Sequence, residues 1–435
     1  MTLKRIFCFV LSVVLGVIMC VNLAACSNTQ STESDNVSAT VEDTLAATKK
    51  ITMATLPTED ILGKPDVVKY SIQKYMYPIW KSDTSFAETA FVREGADGKV
   101  APISLLYPIK DIVSVRSFDL QTLYTEGVDY RIDSNGDLEI LEDGNIPVLA
   151  YDNYYFPSYA GENSGQIQAA DDSGGAYIFS ETKNDSKGMS EWALAVTYHH
   201  AETKAVTAPV GKSEKFERLI SKLENQEEIT VAVYGDSISY GWAASGHVNR
   251  APGCPSYIDL VCKYITQNYG VYAGKTSFAV SGTTSSWGAQ RDNLKAVYES
   301  QADLIIIAFG MNDGVGTSTE VYVNNINYMV NTIKSRSPES CVVVVSSMLP
   351  NAEVGYSAGT SLLNYHLDYA EALREAEKGW TNAALADVTA MHVEMLERKA
   401  YQDTSSSNVN HPNDYMHRVY AQVIFQTIFG DYGDY

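Results

Sequence analysis

The pattern of hydrophobic and polar positions changes near residue 210 of the chain. Before that point, short segments rich in β-branched and aromatic residues alternate with clusters of Gly, Asp and Asn. After it, continuous apolar runs alternate with stretches whose apolar residues recur at i, i+3, i+4 and i+7. The first pattern predicts short antiparallel strands, and the second predicts helices between buried parallel strands. The pattern therefore predicts two domains of different class.

The first domain, residues 51–209, is predicted to be a β-sandwich of the jelly-roll kind. Asn135-Gly136 lies between two candidate strands and is the strongest short-range hairpin signal. Many short strands separated by turn signals are typical of sandwiches and jelly rolls. The predicted strands are 111–118, 130–133, 138–141, 176–180 and 192–198.

The second domain, residues 210–435, is predicted to hold a parallel sheet with helices on both faces, because its strands are apolar nearly throughout. Its predicted strands are 231–234, 276–280, 304–309, 341–346 and 383–388. Its predicted helices are 212–228, 257–269, 290–299, 320–335, 362–378 and 415–429.

The N-terminus has the features of a targeting segment. Lys4 and Arg5 precede the apolar stretch 6–21, and the small residues Ala24 and Ala25 precede Cys26. This segment resembles a bacterial lipoprotein signal, which implies cleavage after residue 25 and lipidation of Cys26. A plain secretory signal and an uncleaved anchor are the alternatives. Residues 26–50, poor in large apolar side chains, are predicted to be a disordered tether. The protein is therefore expected on the extracellular face of the cell membrane.

The 435-residue chain is strongly acidic, with a formal net charge of −21. Loss of Lys4 and Arg5 with the signal would take the charge to −23. Repulsion by this charge argues against a nucleic-acid partner and against an anionic substrate. We therefore expect a neutral substrate.

Chemically useful residues follow the predicted strands of the second domain. Ser237 comes after Gly235 at the end of the first strand, Gly282 and Asn312 follow the next two, and His411 precedes the last helix. Ligands of open α/β sheets bind at the carboxyl ends of the strands. Acyl transfer needs a hydroxyl, a base and hydrogen-bond donors for the developing oxyanion, and these four residues could supply them.

In their order, Gly235-Asp236-Ser237, Gly282, Gly310-x-Asn312-Asp313 and His411 resemble the four motif blocks of the SGNH (GDSL-type) hydrolase family. The resemblance implies a three-layer α/β/α domain with Ser237 as nucleophile and His411 as base. It also implies an oxyanion hole made of the Ser237 and Gly282 N–H groups and the Asn312 side chain, with no metal and no cofactor. Asp236 is predicted to brace its turn, and Asp313 to be either a helix cap or a support for the site.

One position departs from the family pattern. The family usually has Asp three residues before its catalytic histidine, and this chain has Asn408 there. Asn cannot supply a carboxylate, so a Ser–His dyad is predicted. The resemblance implies that a backbone carbonyl orients the histidine, as in the carbohydrate esterases of the family that have a dyad. Asp414 and His417 form an alternative D-x-x-H match. His411 is favoured as the base because its His-Pro sequence fits the entry to a helix.

The order of domains suggests a substrate class. A jelly-roll domain followed by an SGNH domain that lacks the Asp resembles the two-domain acetyl-xylan and glucomannan esterases of carbohydrate esterase family 2. This resemblance implies removal of acetyl groups from carbohydrate. Trp242 and Trp287 lie near the motif loops and are either buried aromatics or walls on which a sugar stacks.

Two other functions stay open at this point. A lipid or aryl ester hydrolase, such as a lysophospholipase, would need a wide apolar acyl channel, whereas residues 281–286 are small and mostly polar. A carbohydrate-binding surface lipoprotein with an inactive SGNH domain would not need the intact Ser, Gly, Asn and His motifs.

Overall fold

The computed structural model describes residues 71–158, 166–170, 177–179, 188–201, 205–357 and 360–432. The predicted signal at 1–25, with the Cys26 site and the tether at 26–50, lies outside these residues. Within the described ranges, no helix is both long enough and apolar enough to cross a bilayer.

The part of the chain before residue 210 contains antiparallel sheets, which we call the β domain. Strands β1, β9, β2 and β3 form one sheet in that order, β6, β8 and β7 form a second, and β4 pairs with β5 in the predicted hairpin. The elements are α1 Ile72–Tyr75, β1 Thr84–Phe91, β2 Asp111–Ser117, β3 Leu123–Tyr124, β4 Tyr130–Ile132, β5 Leu138–Ile140, α2 Tyr151–Tyr154, β6 Tyr155–Phe156, β7 Gln166–Gln168, β8 Tyr177–Phe179 and β9 Ala193–His199.

The part after residue 210 contains a five-stranded parallel sheet in the order β11-β10-β12-β13-β16. Its elements are α3 Glu217–Glu224, β10 Ile229–Gly235, α4 Ser237–Tyr240, α5 Tyr257–Tyr269, β11 Ala273–Ser277, α6 Ser285–Gly288, α7 Arg291–Glu299, β12 Leu304–Ala308, α8 Thr319–Arg336, β13 Cys341–Val345, β14 Gly355–Ser357, β15 Thr360–Ser361, α9 His366–Glu377, β16 Ala383–Ala386, α10 Val388–Leu396 and α11 Asp414–Phe429.

Alternate residues of the central strands enter two different cores, one on each face of the sheet. Val231 and Val233 of β10 pack with α5 and α11, whereas Ala232 and Tyr234 pack with α7, α8 and α9. Side chains of a strand point alternately to opposite faces, so a strand covered on both sides must be apolar at every position. The predicted α/β/α class of this domain, preceded by an antiparallel β part, is confirmed.

Several elements of the second domain differ from their predictions. The strand predicted at 276–280 lies at Ala273–Ser277, because β11 is an edge strand with three exposed residues and lacks the apolar signature of its neighbours. Helix α10 begins two residues after β16 ends, with Asp387 as its cap, and was included in no predicted helix. The predicted helix at 212–228 is a 3₁₀ turn at Ser213–Lys215 followed by α3.

One hydrophobic core extends from the part of the chain after residue 210, which we call the α/β domain, into the β domain. The cluster that contains Val231 and Val233 also contains Ala90, Val92, Val196 and Tyr198 of strands β1 and β9 and the residues next to them. The described residues belong to a single compact unit. The boundary near residue 210 stays a prediction.

Candidate active site

The candidate nucleophile lies on a tight turn between β10 and α4. A Cβ atom at Gly235 would lie 2.3 Å from the Ala308 carbonyl oxygen and 2.4 Å from Ser239 Oγ, so only glycine fits where the strand ends. Asp236 Oδ1 then accepts a hydrogen bond from the Ile238 N–H at 3.0 Å and caps α4. The turn therefore fixes Ser237 as the first residue of the helix, at the carboxyl edge of the sheet.

His411 lies against this serine. Its Nε2 is 2.9 Å from Ser237 Oγ, although the two residues are 174 positions apart in the chain. Burial lowers the pKa of the His411 imidazole to about 4. The ring is therefore neutral at neutral pH, the state in which Nε2 can accept the hydroxyl proton.

The second ring nitrogen of His411 has a different environment. Within the part of the chain that the structure describes, His411 Nδ1 makes no hydrogen bond and no ion pair. Asn408, where the family places Asp, directs its side chain to Asn351 and Tyr154 instead. Neither a carboxylate nor the backbone carbonyl expected for a dyad contacts Nδ1 among these residues.

The alternative pair, Asp414 and His417, does not form. Asp414 accepts hydrogen bonds from the N–H and Oγ of Ser245, at 2.8 and 2.6 Å. His417 is fully buried, with Nδ1 3.3 Å from the Tyr257 N–H and Nε2 3.1 Å from the Trp242 carbonyl oxygen. Both ring nitrogens thus bind backbone groups, which suits a residue that anchors the chain after α4.

The loops that carry Gly282 and Asn312 are joined to the nucleophile strand. The Val280 N–H donates to the Gly235 carbonyl at 2.9 Å, and Asn312 Nδ2 donates to the Thr283 carbonyl at 2.9 Å. Gly282 has φ +77°, which favours glycine, and its N–H makes no hydrogen bond with any described residue. An amide nitrogen carries two protons, so Asn312 retains one donor beyond its bond to Thr283.

Two buried carboxyl groups lie beneath these loops. The Ser285 N–H donates one bifurcated hydrogen bond to both carboxyl oxygens of Asp313, and Ser285 Oγ donates to Oδ1, so Asp313 holds the start of α6. Burial, with a contribution from the charge of Asp313, raises the pKa of the Asp236 carboxyl to about 7. Asp236 holds its turn, as predicted, and of the two alternatives for Asp313 the structure has the supporting contact.

The two predicted tryptophans have different surroundings. Trp287 is half-buried and packs against Tyr234, with ring centroids 5.8 Å apart, at the edge of the core. Trp242 is half-buried and lies near the exposed His247 ring, with centroids 6.5 Å apart. Tyr240, which is 49% exposed, contacts the same histidine at 5.0 Å. Trp242, Tyr240 and His247 form an accessible aromatic patch next to α4.

Sequence reasoning missed the residues that hold the His411 segment from outside it. Tyr154, Asn351 and Gln402 all contact the Asn408 side chain. Tyr154 is 254 residues from Asn408, and no periodicity or motif reports a contact at such a separation. The residue type at position 408 is the local signal that the sequence offers. Asn408 has φ +61°, in the left-handed region where Asn is favoured.

Comparison with known proteins agrees with this architecture. A parallel α/β/α domain with a Ser–His pair at the strand ends defines the class of α/β hydrolytic domains. Residues 233–419 match the model of the GDSL-like Lipase/Acylhydrolase family. No curated protein matches the chain significantly.

Several solved structures resemble part of the chain. A two-domain esterase (CEX) active on acetylated mannans, co-crystallised with mannopentaose, has 18% identity and a TM-score of 0.38 over 50% of this chain and 53% of its own. An acetylxylan esterase from Geobacillus stearothermophilus has 16% identity and a TM-score of 0.38 over 47% of this chain and 95% of its own. A GDSL-family lipolytic protein from Veillonella parvula has 13% identity and a TM-score of 0.36, over 46% and 99%. The chain thus spans about half the length of the two-domain esterase.

Proposed function

We propose that the protein is a serine carboxylic ester hydrolase that works through an acyl-Ser237 intermediate. The observation that carries the proposal is the 2.9 Å contact between Ser237 Oγ and His411 Nε2. A hydroxyl is a weak nucleophile at neutral pH, and a neutral imidazole at this distance can remove its proton as it attacks.

The reaction has two steps. Ser237 Oγ attacks the ester carbonyl while His411 takes the hydroxyl proton, and the tetrahedral oxyanion is stabilised by the Ser237 and Gly282 N–H groups and the Asn312 amide. The C–O bond to the alcohol then breaks, and His411 protonates the leaving oxygen. Water, deprotonated by His411, attacks the acyl-enzyme in the same way and releases the acid and free Ser237.

We further propose that the acyl group is acetyl and the alcohol is a carbohydrate hydroxyl. The loop at 281–286 beside the nucleophile consists of Ser, Gly and Thr, which suit a short acyl group better than an alkyl chain. The aromatic patch of Tyr240, Trp242 and His247 offers ring faces for a pyranose. The net charge of −21 favours a neutral polymer such as xylan or mannan.

A chain-length assay separates this proposal from the alternatives. Rates on p-nitrophenyl acetate, butyrate and octanoate are compared, and acetate release is measured from acetylated xylan, mannan and pectin. An acetyl esterase should prefer the acetate and release acetate from at least one polymer. Preference for octanoate would support a lipid esterase, and no turnover of any ester would support a binding protein.

The serine variant identifies the source of the activity. Ser237→Ala should lower kcat by about 10⁴-fold or more, because the covalent route is lost. Ser221→Ala, the same change on an exposed position of α3, is the matched control and should keep full activity. Equal activity of both variants would place the nucleophile elsewhere.

We also propose that Cys26 is lipidated and tethers the enzyme to the extracellular face of the membrane. Cys26→Ala should abolish incorporation of labelled palmitate into the protein. Cys20→Ala, inside the predicted signal, is the matched control and should leave the labelling unchanged. Unchanged labelling of Cys26→Ala would contradict lipidation at this position.

A further inference from the structure

The position of the His411 ring depends on the backbone that carries it. Among the described residues, Ser237 is the sole side chain bonded to the ring, so no bond at Nδ1 holds the imidazole from behind. We call residues 403–413 the His411 loop. Inside it, the His411 carbonyl accepts from the Ser406 N–H at 3.0 Å and from Ser405 Oγ at 3.1 Å. These bonds shape the loop but do not fix it to the rest of the protein.

The β domain contacts the start of this loop. Asp403 Oδ1 accepts a hydrogen bond of 2.6 Å from the N–H of Phe91, the last residue of β1. The carbonyl of Asp403 accepts from Asn413 Nδ2 at 2.8 Å, and Asn413 caps α11. The side chain and the backbone carbonyl of Asp403 thus connect β1, the start of the loop and the start of α11.

A buried ion pair reinforces this contact. Lys399 Nζ lies 2.6 Å from Glu88 Oε1 of β1 and 3.7 Å from Asp403 Oδ2, and the Lys399 and Glu88 side chains are both 0% exposed. Lys399 also donates to the Thr89 carbonyl at 3.0 Å. Separating Lys399 from Glu88 would leave unpaired charges in the protein interior, so the pair holds β1 against the start of the loop.

The β domain also contacts the middle of the loop, through Tyr154. Its hydroxyl accepts hydrogen bonds from Asn408 Nδ2 at 3.0 Å and Gln402 Nε2 at 2.7 Å, and donates to Glu353 Oε2 at 3.0 Å. A phenol oxygen has two acceptor sites and one donor, so all three are used. Asn351 Nδ2 meets the Asn408 side-chain oxygen and carbonyl from the other side, both at 2.9 Å.

We propose that the β domain positions the catalytic base by holding the His411 loop at its start and at its middle, with Tyr154 and the Glu88–Lys399 pair as positioning residues. This inference rests on the proposed function, because it assigns a catalytic purpose to contacts that are otherwise only structural. Rigid attachment of the backbone takes over the orienting role that a carboxylate behind the histidine has in a triad. Tyr154 acts on His411 through Asn408, which lies three residues before the histidine in the loop. Tyr154 itself does not touch the substrate.

Tyr154→Phe in the full chain tests the proposal, since it removes one hydroxyl and keeps the buried ring. We expect kcat on p-nitrophenyl acetate to fall about tenfold with KM within twofold, because a small displacement of a catalytic group has effects of this order or larger. Tyr155→Phe is the matched control: its hydroxyl lies 3.3 Å from Arg93 Nη1 and does not contact the loop. The control should keep wild-type kcat.

A second readout does not depend on turnover. The His411 imidazole is observed by NMR in wild-type protein, Tyr154→Phe and Tyr155→Phe, and shifted or broadened ring signals are expected in Tyr154→Phe alone. The double variant Glu88→Gln with Lys399→Met, which removes both charges of the pair at similar volume, should give the same two effects. Unchanged kcat and unchanged His411 signals in the folded variants would overturn the proposal. Failure of the proposed function would differ, because the wild-type protein itself would then turn over no ester.

Discussion

Replacing Asn408 by Asp restores the family's residue type and tests whether the residue type alone makes a triad. In this structure it should not. The Asn408 side chain is buried and committed to Tyr154, Asn351 and Gln402, and it makes no contact with the His411 ring. We expect the Asn408→Asp variant to have kcat no higher than wild type, and to be less stable.

The loss of stability has two sources besides the cost of burying a carboxylate at a fully buried position. A carboxylate cannot donate, so the bond from Asn408 Nδ2 to the Tyr154 hydroxyl is lost, at about 1 kcal/mol. The Tyr154 hydroxyl would also bring the new carboxylate and Glu353 within about 5 Å of each other. Their repulsion is about 3 kcal/mol at an effective dielectric constant of 20, and solvent reduces it to about 1 kcal/mol because Glu353 is exposed. The free energy of unfolding should therefore fall by at least about 2 kcal/mol at pH 8.

Urea unfolding followed by tryptophan fluorescence measures this change, and kcat is measured on p-nitrophenyl acetate. The loss should shrink at pH 5, where protonation of the new carboxyl removes the repulsion and restores a donor. Asn410→Asp, in the same loop but without a side-chain hydrogen bond to any described residue, is the matched control and should change neither quantity much. A tenfold rise in kcat for Asn408→Asp would refute the reasoning, since it would show that position 408 can reach the imidazole.

The remaining predictions concern the proposed catalytic groups. Because the His411 pKa is lowered to about 4, protonation should remove activity only as pH falls toward 4, and a fall in kcat/KM near pH 6.5 that follows His411 protonation would contradict this lowered pKa. Asn312→Ala should lower kcat by about 10²–10³-fold with little change in KM, and an unchanged kcat would remove this side chain from the oxyanion hole. His411→Ala should abolish turnover whereas His417→Gln should lower the unfolding midpoint and keep turnover; the reverse would exchange their roles. Trp242→Ala should raise KM for acetylated oligosaccharides but not for p-nitrophenyl acetate, and an equal rise for both would argue against stacking on a sugar.

The α/β domain follows from the sequence because its core strands are apolar at every position and its helices carry regular apolar stripes. Helix Tyr257–Tyr269 has the predicted bounds, and β12 and β13 differ by one residue at one end. Strand β11 begins three residues before the predicted strand. It is an edge strand with three exposed residues, so it lacks the apolar pattern on which the prediction depends. Periodicity thus locates an element well where burial is complete and poorly where it is partial.

The candidate site is predictable for a related reason. Parallel strands end at one edge of a sheet, so residues that follow different strands, such as Ser237 and Asn312, must lie near one another. The support of the His411 loop is different. Tyr154 contacts the loop at Asn408, and Glu88 contacts Lys399 just before the loop. These residues are far apart in the sequence and belong to no motif, so only the folded chain reveals the contacts.

The buried pair of Glu88 and Lys399 has a consequence for the order in which the chain folds. The two residues are 311 positions apart, and β1 leaves the ribosome long before Lys399 is synthesised. Until Lys399 is available, docking of β1 would bury the unpaired charge of Glu88. Early docking of this strand is therefore unfavourable. Contacts of this separation slow folding and favour completion only after nearly the whole chain is available. The protein is therefore expected to reach its native state late and in one cooperative transition, rather than domain by domain during synthesis.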